Sequence, residues 1–158
     1  MGVTEFEAEI ISSIPPAKLF KAFVLDLDKL IPRVMPESIK SVETLKGDGG
    51  PGTIKLFTFG EGCQFKTVKN VIDVLDKENY TYRYSIVEGD VLMGILERIS
   101  YEIKITASSD GGSVSKNTSR YVTKGDIMID EDKIKEGKGR AFALFKAIEA
   151  YVLENPNY

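Results

Sequence analysis

The sequence predicts an α+β domain in which a seven-stranded antiparallel sheet wraps around one long C-terminal helix. Three observations lead to this class: several runs of alternating apolar and polar residues, a helical period over 130–154, and no proline between 52 and 155. Alternation is typical of half-buried strands, a 3.6-residue period is typical of an amphipathic helix, and proline disrupts both. The 158 residues are expected to form a single domain over 1–158.

The N-terminal part predicts one strand followed by two short helices. Over the first ten residues apolar side chains alternate with glutamates, so the apolar ones are expected to face the interior. A helix is expected to begin at Pro15 and Pro16, where Ser12 or Ser13 can cap it. A second short helix is predicted to end near Val34. These two helices form a bent element after strand one.

Six more strands follow, separated by glycine-rich or Asp-Gly turns. They are predicted at 39–45, 53–59, 65–75, 80–86, 98–105 and 113–122. The third of these is apolar on both faces, which indicates a bulge or a break in register. The glycine-rich turn at 47–52 invites comparison with a phosphate-binding loop. It lacks the Gly-Lys-Ser/Thr ending and leads into a strand, so a structural hairpin turn is favoured.

Large aromatic side chains are predicted to face the long helix from the sheet. They are Phe57, Phe59, Tyr82, Tyr84 and Tyr101. A filled core is one interpretation of this set. The helix stripe that should face it, however, passes through Gly137, Gly139, Arg140 and Ala141, which are too small or too polar to fill space. We therefore favour a cavity that binds small apolar ligands, with tyrosine hydroxyls as polar anchors.

Composition argues against several other classes of protein. The chain has 21 basic and 24 acidic residues, a net charge of −3 and no histidine. An acidic protein is poorly suited to nucleic acid, and the commonest general base and transition-metal ligand is missing. One cysteine, Cys63, cannot form a thiolate metal site, so neither a metal nor a cofactor is expected. The N-terminus lacks a secretory signal, so we expect a cytoplasmic protein without membrane contact.

Five segments resemble one known family, and the resemblance runs from 2 to 158. They are IPPAKLFKAF at 14–23, Glu43 with GDGGPGTIK at 47–55, YSIVEGD at 84–90, DGGS at 110–113 and TKGD at 123–126. The chain resembles the plant class-ten pathogenesis-related proteins, which include the major birch pollen allergen. The resemblance implies the helix-grip fold and a mostly monomeric protein with a defence or stress role. It also implies allergenicity and ligands such as flavonoids, cytokinins, sterols and fatty acids.

The resemblance also implies which residues line the ligand pocket. The matching positions are Phe23, Ile39, Lys55, Phe57, Phe59, Thr67, Asn70, Tyr82, Tyr84, Ile99, Tyr101, Ile103, Gly137, Arg140, Ala141 and Leu144. Three positions depart from the family: Thr67 replaces a frequent tyrosine, Asn70 a common aspartate, and Val122 a frequent histidine. Ligand selectivity therefore cannot be copied from a single relative.

Catalysis is the alternative that the resemblance leaves open. A weak ribonuclease activity has been attributed to the family, and the matching positions are Glu97, Glu149 and Tyr151 together with the glycine-rich loop. These groups do not obviously converge in the predicted fold. A related branch catalyses condensations in alkaloid biosynthesis, but we identify no counterpart of its lysine-centred catalytic set.

Overall fold

The computed structural model describes residues 2–158, and it contains seven strands and three α-helices. The strands are β1 (Val3–Ser12), β2 (Ile39–Lys46), β3 (Ile54–Phe59), β4 (Thr67–Asp76), β5 (Thr81–Gly89), β6 (Leu96–Ala107) and β7 (Ser113–Thr123). The helices are α1 (Pro16–Phe20), α2 (Leu27–Val34) and α3 (Glu131–Glu154). Within the described residues, no helix combines the length and the apolar character needed to cross a membrane.

All seven strands join one antiparallel sheet in the order β1-β7-β6-β5-β4-β3-β2. The first strand therefore pairs with the last, with Val3 opposite Val122 and Ser12 opposite Ser113. The predicted break in β4 is confirmed, because its register against β5 shifts twice, after Lys69 and after Ile72. The predicted α+β class, with a helix-grip sheet around a long C-terminal helix, is confirmed.

Helix α3 begins at an acidic cap and buries one face. The Asp130 side chain accepts a hydrogen bond from the backbone N–H of Asp132 at 2.9 Å, which satisfies one free donor at the helix start. The buried residues of α3 are Ile134, Phe145, Ile148 and Val152. Because they recur at helical spacing, they fasten one side of the helix to the core.

The predicted cap of the first helix is wrong. Pro15 occupies the cap position and makes no side-chain hydrogen bond. Ser12 instead accepts a hydrogen bond from the backbone N–H of Ile14 at 3.2 Å, because it ends β1 and is buried in the turn that follows. Between α1 and α2 the chain makes one wide π-helical turn, Lys21–Leu25, which the sequence pattern did not predict.

The C-terminal residues fasten onto this π turn. The Tyr158 hydroxyl donates a hydrogen bond to Asp26 Oδ2, and Lys21 Nζ lies 4.2 Å from the centroid of the Tyr158 ring. Lys18 Nζ also donates to the carbonyl of Pro156 at 3.4 Å. Burial and the hydrogen bond to Asp26 both raise the pKa of Tyr158. The end of the chain therefore helps to hold the turn that carries Phe23.

The glycine-rich loop between β2 and β3 is a hairpin connection, as predicted. Gly47 has φ +99°, and a Cβ there would lie 2.7 Å from the Cα of Thr53, so only glycine fits without displacement. The backbone N–H of Gly49 donates to Thr53 Oγ1 at 2.9 Å, and that of Gly50 donates to Asp48 Oδ1 at 3.0 Å. Two of the loop amides that could contact an anion are therefore already paired.

Candidate ligand-binding cavity

A cavity of about 390 Å³ lies between the sheet, α3 and the π turn. We call it the main cavity. Its wall consists of Ala8, Glu9, Ile10, Phe23, Leu27, Tyr82, Tyr84, Tyr101, Glu102, Ile103, Asn117, Thr118, Ser119, Tyr121, Gly137, Lys138, Ala141, Phe142, Leu144 and Phe145. The volume lies within the range of ordinary small-molecule pockets, and the wall is mostly apolar with a few polar groups.

Three tyrosines from β5 and β6 form a ladder along one wall of the main cavity. The ring centroids of Tyr82 and Tyr84 are 5.2 Å apart, and those of Tyr84 and Tyr101 are 5.0 Å apart with their planes at 25°. Tyr84 and Tyr101 are directly opposite each other on paired strands, which explains the stacking. The ladder gives a ligand flat aromatic faces together with hydroxyl groups.

Burial raises the pKa of all three ladder tyrosines above the ordinary value of 10.0. Neighbouring groups add to this increase: Tyr84 and Asp28 for Tyr82, Tyr121 for Tyr84, and both Tyr84 and Tyr121 for Tyr101. Only the charge of Arg140 acts against it, by lowering the pKa of Tyr101. The hydroxyls are therefore neutral at physiological pH. Each can donate a hydrogen bond to a ligand or accept one from it.

Helix α3 forms the opposite wall with residues that leave space. Gly137 and Ala141 both line the main cavity, because residues four apart lie on the same helix face. The prediction that Gly139 shares this face is wrong. A Cβ at Gly139 would meet no heavy atom within 4 Å, since a position two residues from Gly137 points to another side of the helix.

The main cavity opens to solvent between β1 and α3. Ala8, Glu9 and Phe142 line it and are also exposed at the protein surface. Across this opening, Lys138 Nζ of α3 lies 4.5 Å from the ring centroid of Phe6 on β1. A ligand therefore has a path to the interior that does not require the sheet to open.

A second, smaller cavity of about 50 Å³ lies near the N-terminal half of α3. Its wall consists of Phe65, Val91, Met93, Leu96, Ile99, Tyr101, Tyr121, Ile129, Lys133, Glu136, Gly137 and Arg140. Two of its charged residues are basic and one is acidic. Arg140 lies over the Phe65 ring, with its guanidinium carbon 5.9 Å from the ring centroid.

The structure divides the predicted pocket residues into three groups. Those on the main cavity are Phe23, Tyr82, Tyr84, Tyr101, Ile103, Gly137, Ala141 and Leu144. Those on the smaller cavity are Ile99 and Arg140, together with Tyr101 and Gly137, which line both. Those on neither cavity are Ile39, Lys55, Phe57, Phe59, Thr67 and Asn70.

The residues that line neither cavity belong to β2, β3 and β4. Phe57 is buried at 9% exposure, and Ile39 and Phe59 pack against the same core. Asn70 is buried opposite Lys55 in the sheet, and within residues 2–158 its Oδ1 has no hydrogen-bond partner. Phe57, Ile39 and Phe59 therefore belong to the packed core and not to the wall of either described cavity.

Lys55 takes part in a partly buried ion pair at this end of the sheet. Its Nζ lies 2.7 Å from Asp28 Oδ2 of α2, and the two side chains are only 12% and 29% exposed. The pair therefore links the short helices to β3. Replacing one of the two residues by a neutral one leaves the charge of the other without a counter-charge in a partly buried position.

Replacing Asp28 by Asn is expected to lower the free energy of unfolding by about 2 kcal/mol, because Lys55 then loses its counter-charge. Urea unfolding measures this loss. The double variant Asp28→Asn/Lys55→Met should regain most of the stability. As the control, Glu88→Gln breaks the exposed pair of Lys69 and Glu88 at 3.3 Å, and it should cost about 0.5 kcal/mol or less. Equal losses in Asp28→Asn and Glu88→Gln would contradict the prediction.

Sequence reasoning did not identify much of the main-cavity wall. The wall residues absent from the prediction are Ala8, Glu9, Ile10, Leu27, Glu102, Asn117, Thr118, Ser119, Tyr121, Lys138, Phe142 and Phe145. No alternation indicates the facing of Tyr121, because β7 buries Tyr121, Val122 and Thr123 in succession. The many serines and threonines of β7 concealed its facing.

The residues considered for ribonuclease activity lie on separate elements. Glu97 is exposed on β6, whereas Glu149 of α3 forms an ion pair with Lys146 at 3.1 Å. Tyr151 of α3 packs edge-on against Tyr158. In the part of the chain that the structure describes, no hydrogen bond or ion pair joins Glu97 to Glu149 or Tyr151.

Comparisons with known proteins agree with this fold. Residues 1–155 match the model of the Pathogenesis-related protein Bet v 1 family. The chain is 56% identical to the major strawberry allergen Fra a 1.05 of Fragaria ananassa, over 99% of this chain and 98% of the relative. It is 55% identical to the major allergen Pru ar 1 of Prunus armeniaca, with the same coverage.

Comparison with solved structures also supports this fold. The crystal structure of Ara h 8.0201 superposes with a TM-score of 0.89 at 44% identity, covering 98% of this chain and all of the other. Norcoclaurine synthase from Thalictrum flavum superposes with a TM-score of 0.79 at 23% identity, covering 98% of this chain and 88% of the enzyme. At that identity the second likeness concerns the fold alone.

Proposed function

Because this chain belongs to the Pathogenesis-related protein Bet v 1 family, we propose that it binds small hydrophobic ligands in the main cavity. The observation that carries the proposal is an apolar cavity of about 390 Å³ that opens between β1 and α3. A cavity of this size lowers the stability of the empty protein, since apolar voids forgo packing contacts. Its retention in a folded domain supports a binding role.

The chemistry of the wall favours a ligand with a flat or rigid apolar body and few polar groups. Stacked rings of Tyr82, Tyr84 and Tyr101 offer aromatic surface, and their neutral hydroxyls match phenol, hydroxyl or carbonyl groups. Flavonoids, cytokinins and sterols fit this description, and fatty acids fit the apolar part. An adaptable apolar wall discriminates weakly between similar shapes, so several of these classes are expected to bind.

We propose the biological setting from the relatives. Fra a 1.05 and Pru ar 1 are named as major allergens, and the family is named for pathogenesis-related proteins. These names support a defence or stress role and allergenicity for this chain. A cytoplasmic location stays an expectation from the sequence. A weak ribonuclease activity is not proposed, because no observed contact favours it.

Replacing Ala141 by Leu is expected to weaken ligand binding at least about tenfold, which corresponds to about 1.4 kcal/mol. Ala141 lines the main cavity at its exposed side, so a larger side chain there narrows the opening and takes space that the ligand needs. The measurement is a calorimetric and dye-displacement titration against a flavonoid, a cytokinin, a sterol, a fatty acid and a naphthalene sulfonate dye. Wild-type protein should bind at least one of them saturably.

Ala143→Leu is the matched control for this experiment. Ala143 lies on the same helix, is exposed and lines neither cavity. The variant should bind as the wild type does, and circular dichroism should show both variants folded. No saturable binding by folded wild-type protein would overturn the proposed function. Equal affinities of Ala141→Leu and wild type would show that the ligand does not lie against α3.

A further inference from the structure

The main and smaller cavities are separated by a thin wall. Three residues line both cavities: Tyr101 of β6, Tyr121 of β7 and Gly137 of α3. Because Gly137 has no side chain, the two tyrosines supply the bulk of this wall. The two hydroxyls are close enough that each affects the pKa of the other. A long ligand in the main cavity therefore meets a pair of tyrosines before it reaches the smaller cavity.

The two tyrosines of the wall differ in their aromatic contacts. Tyr101 is stacked on Tyr84 at 5.0 Å and belongs to the three-ring ladder. Tyr121 meets the Phe6 ring edge-on at 6.2 Å and 78°, and its hydroxyl lies close to that of Tyr101. Tyr121 therefore lies outside the stacked ladder, although it is itself buried at 6% exposure.

Helix α3 leaves space next to the Tyr121 hydroxyl. A Cβ built at Gly137 would lie 3.9 Å from Tyr121 Oη and would meet no other heavy atom within 4 Å. No side chain from position 137 therefore packs on Tyr121.

We propose that Tyr121 is a specificity-determining residue that sets the longest ligand the main cavity accepts. Ligands that end at the wall bind without rearrangement. A longer ligand enters the smaller cavity only when Tyr121 moves towards the space beside Gly137. This inference rests on the proposed function, because it concerns the ligand of the same cavity.

Straight-chain alkyl carboxylates of increasing length serve as the ruler. Each added methylene that is buried should strengthen binding by about fourfold, until the chain reaches the wall. The measured quantity is the chain length at which the affinity of wild-type protein stops rising. In Tyr121→Ala this length should increase by roughly two methylenes or more, because the cavities are joined. Tyr121→Phe keeps the ring, so its length limit should stay at that of the wild type.

A second pair of variants tests the wall without removing a core side chain. Gly137→Ala places a methyl group beside the Tyr121 hydroxyl, whereas Gly139→Ala changes an exposed position that lines neither cavity. The affinity for chains beyond the limit should be about tenfold lower in Gly137→Ala than in Gly139→Ala. Both variants gain the same intrinsic helix propensity. A difference between their affinities for the long chains therefore reflects the loss of space beside Tyr121.

The outcomes separate this proposal from the proposed function. Binding by the wild type with the same length limit in Tyr121→Ala would overturn the role of Tyr121 and leave the cavity as the ligand site. If Tyr121→Ala does not fold, the second pair of variants decides. Equal affinities of Gly137→Ala and Gly139→Ala for the long chains would then overturn the role of Tyr121. Absence of binding by wild-type protein for every chain length would overturn the role of Tyr121. The proposed function would fall with it only if the flavonoid, the cytokinin, the sterol and the dye also failed to bind.

Discussion

Raising the pH from about 8 to about 11 is expected to lower the free energy of unfolding by about 4 kcal/mol through the three ladder tyrosines. Tyr82, Tyr84 and Tyr101 have pKa values raised above 10.0, and burial is the largest cause for each. A loss of this size is a large part of the stability of an ordinary domain, which is about 5–15 kcal/mol.

The sign of this effect follows from which state holds the protons. In the unfolded chain the tyrosines ionise near pH 10, whereas in the folded protein they remain neutral to higher pH. Above pH 10 the folded state therefore binds more protons, and stability falls as the pH rises. Below the unfolded pKa both states are protonated, so the contribution of the ladder is fully present at neutral pH.

Urea unfolding of wild type and Tyr84→Phe at several pH values measures the effect. The phenylalanine variant lacks one of the hydroxyls whose pKa is raised in the folded protein. At about pH 11 its loss of stability should therefore be about 1.4 kcal/mol smaller than that of the wild type. Ionisation of lysines is common to both proteins and cancels in the comparison. The prediction fails if the two proteins show the same pH dependence.

The second large effect is expected for Phe145→Ala, which should lower the free energy of unfolding by about 3–5 kcal/mol. Phe145 is 1% exposed and lies with its ring centroid 5.0 Å from that of Phe23 on the π turn. Its side chain joins α3 to the short helices and also forms part of the main-cavity wall. Truncation therefore removes packing contacts and enlarges a void that already exists.

Phe142→Ala is the control for this prediction, and chemical unfolding of both variants is the measurement. Phe142 lies one turn earlier on α3 and also lines the main cavity, but it is 49% exposed. Its truncation should cost about 1 kcal/mol or less, because little apolar surface is removed from the core. Similar losses in the two variants would mean that Phe145 does not anchor α3.

Much of the fold could be predicted because its strands alternate regularly and its last helix has a clear period. The strand over 80–86 was predicted from three tyrosines on one face, and it lies at Thr81–Gly89. The pairing of β1 with β7 was not predicted, because local pattern contains no information on partners distant in sequence. The π turn was also missed, since its apolar residues fit an ordinary helical period equally well.

The site was predicted less completely than the fold. Tyr82, Tyr84 and Tyr101 lie on the main cavity because facing follows from strand parity. Phe57 and Phe59 share the predicted inward facing, yet they pack into the core, since parity cannot tell a side chain of the packed core from one that lines a cavity. Tyr121 was missed because its strand is rich in polar residues on both faces.

The pairing of β1 with β7 has a consequence for synthesis on the ribosome. Val3 leaves the exit tunnel long before Val122, its partner in the sheet. At the usual rate of about 5–20 residues per second, the first strand waits roughly ten seconds for its neighbour. Closing so long a loop also slows folding of the finished chain. During that interval the nascent strand depends on its alternating glutamates, Glu5, Glu7 and Glu9, to discourage pairing with another chain.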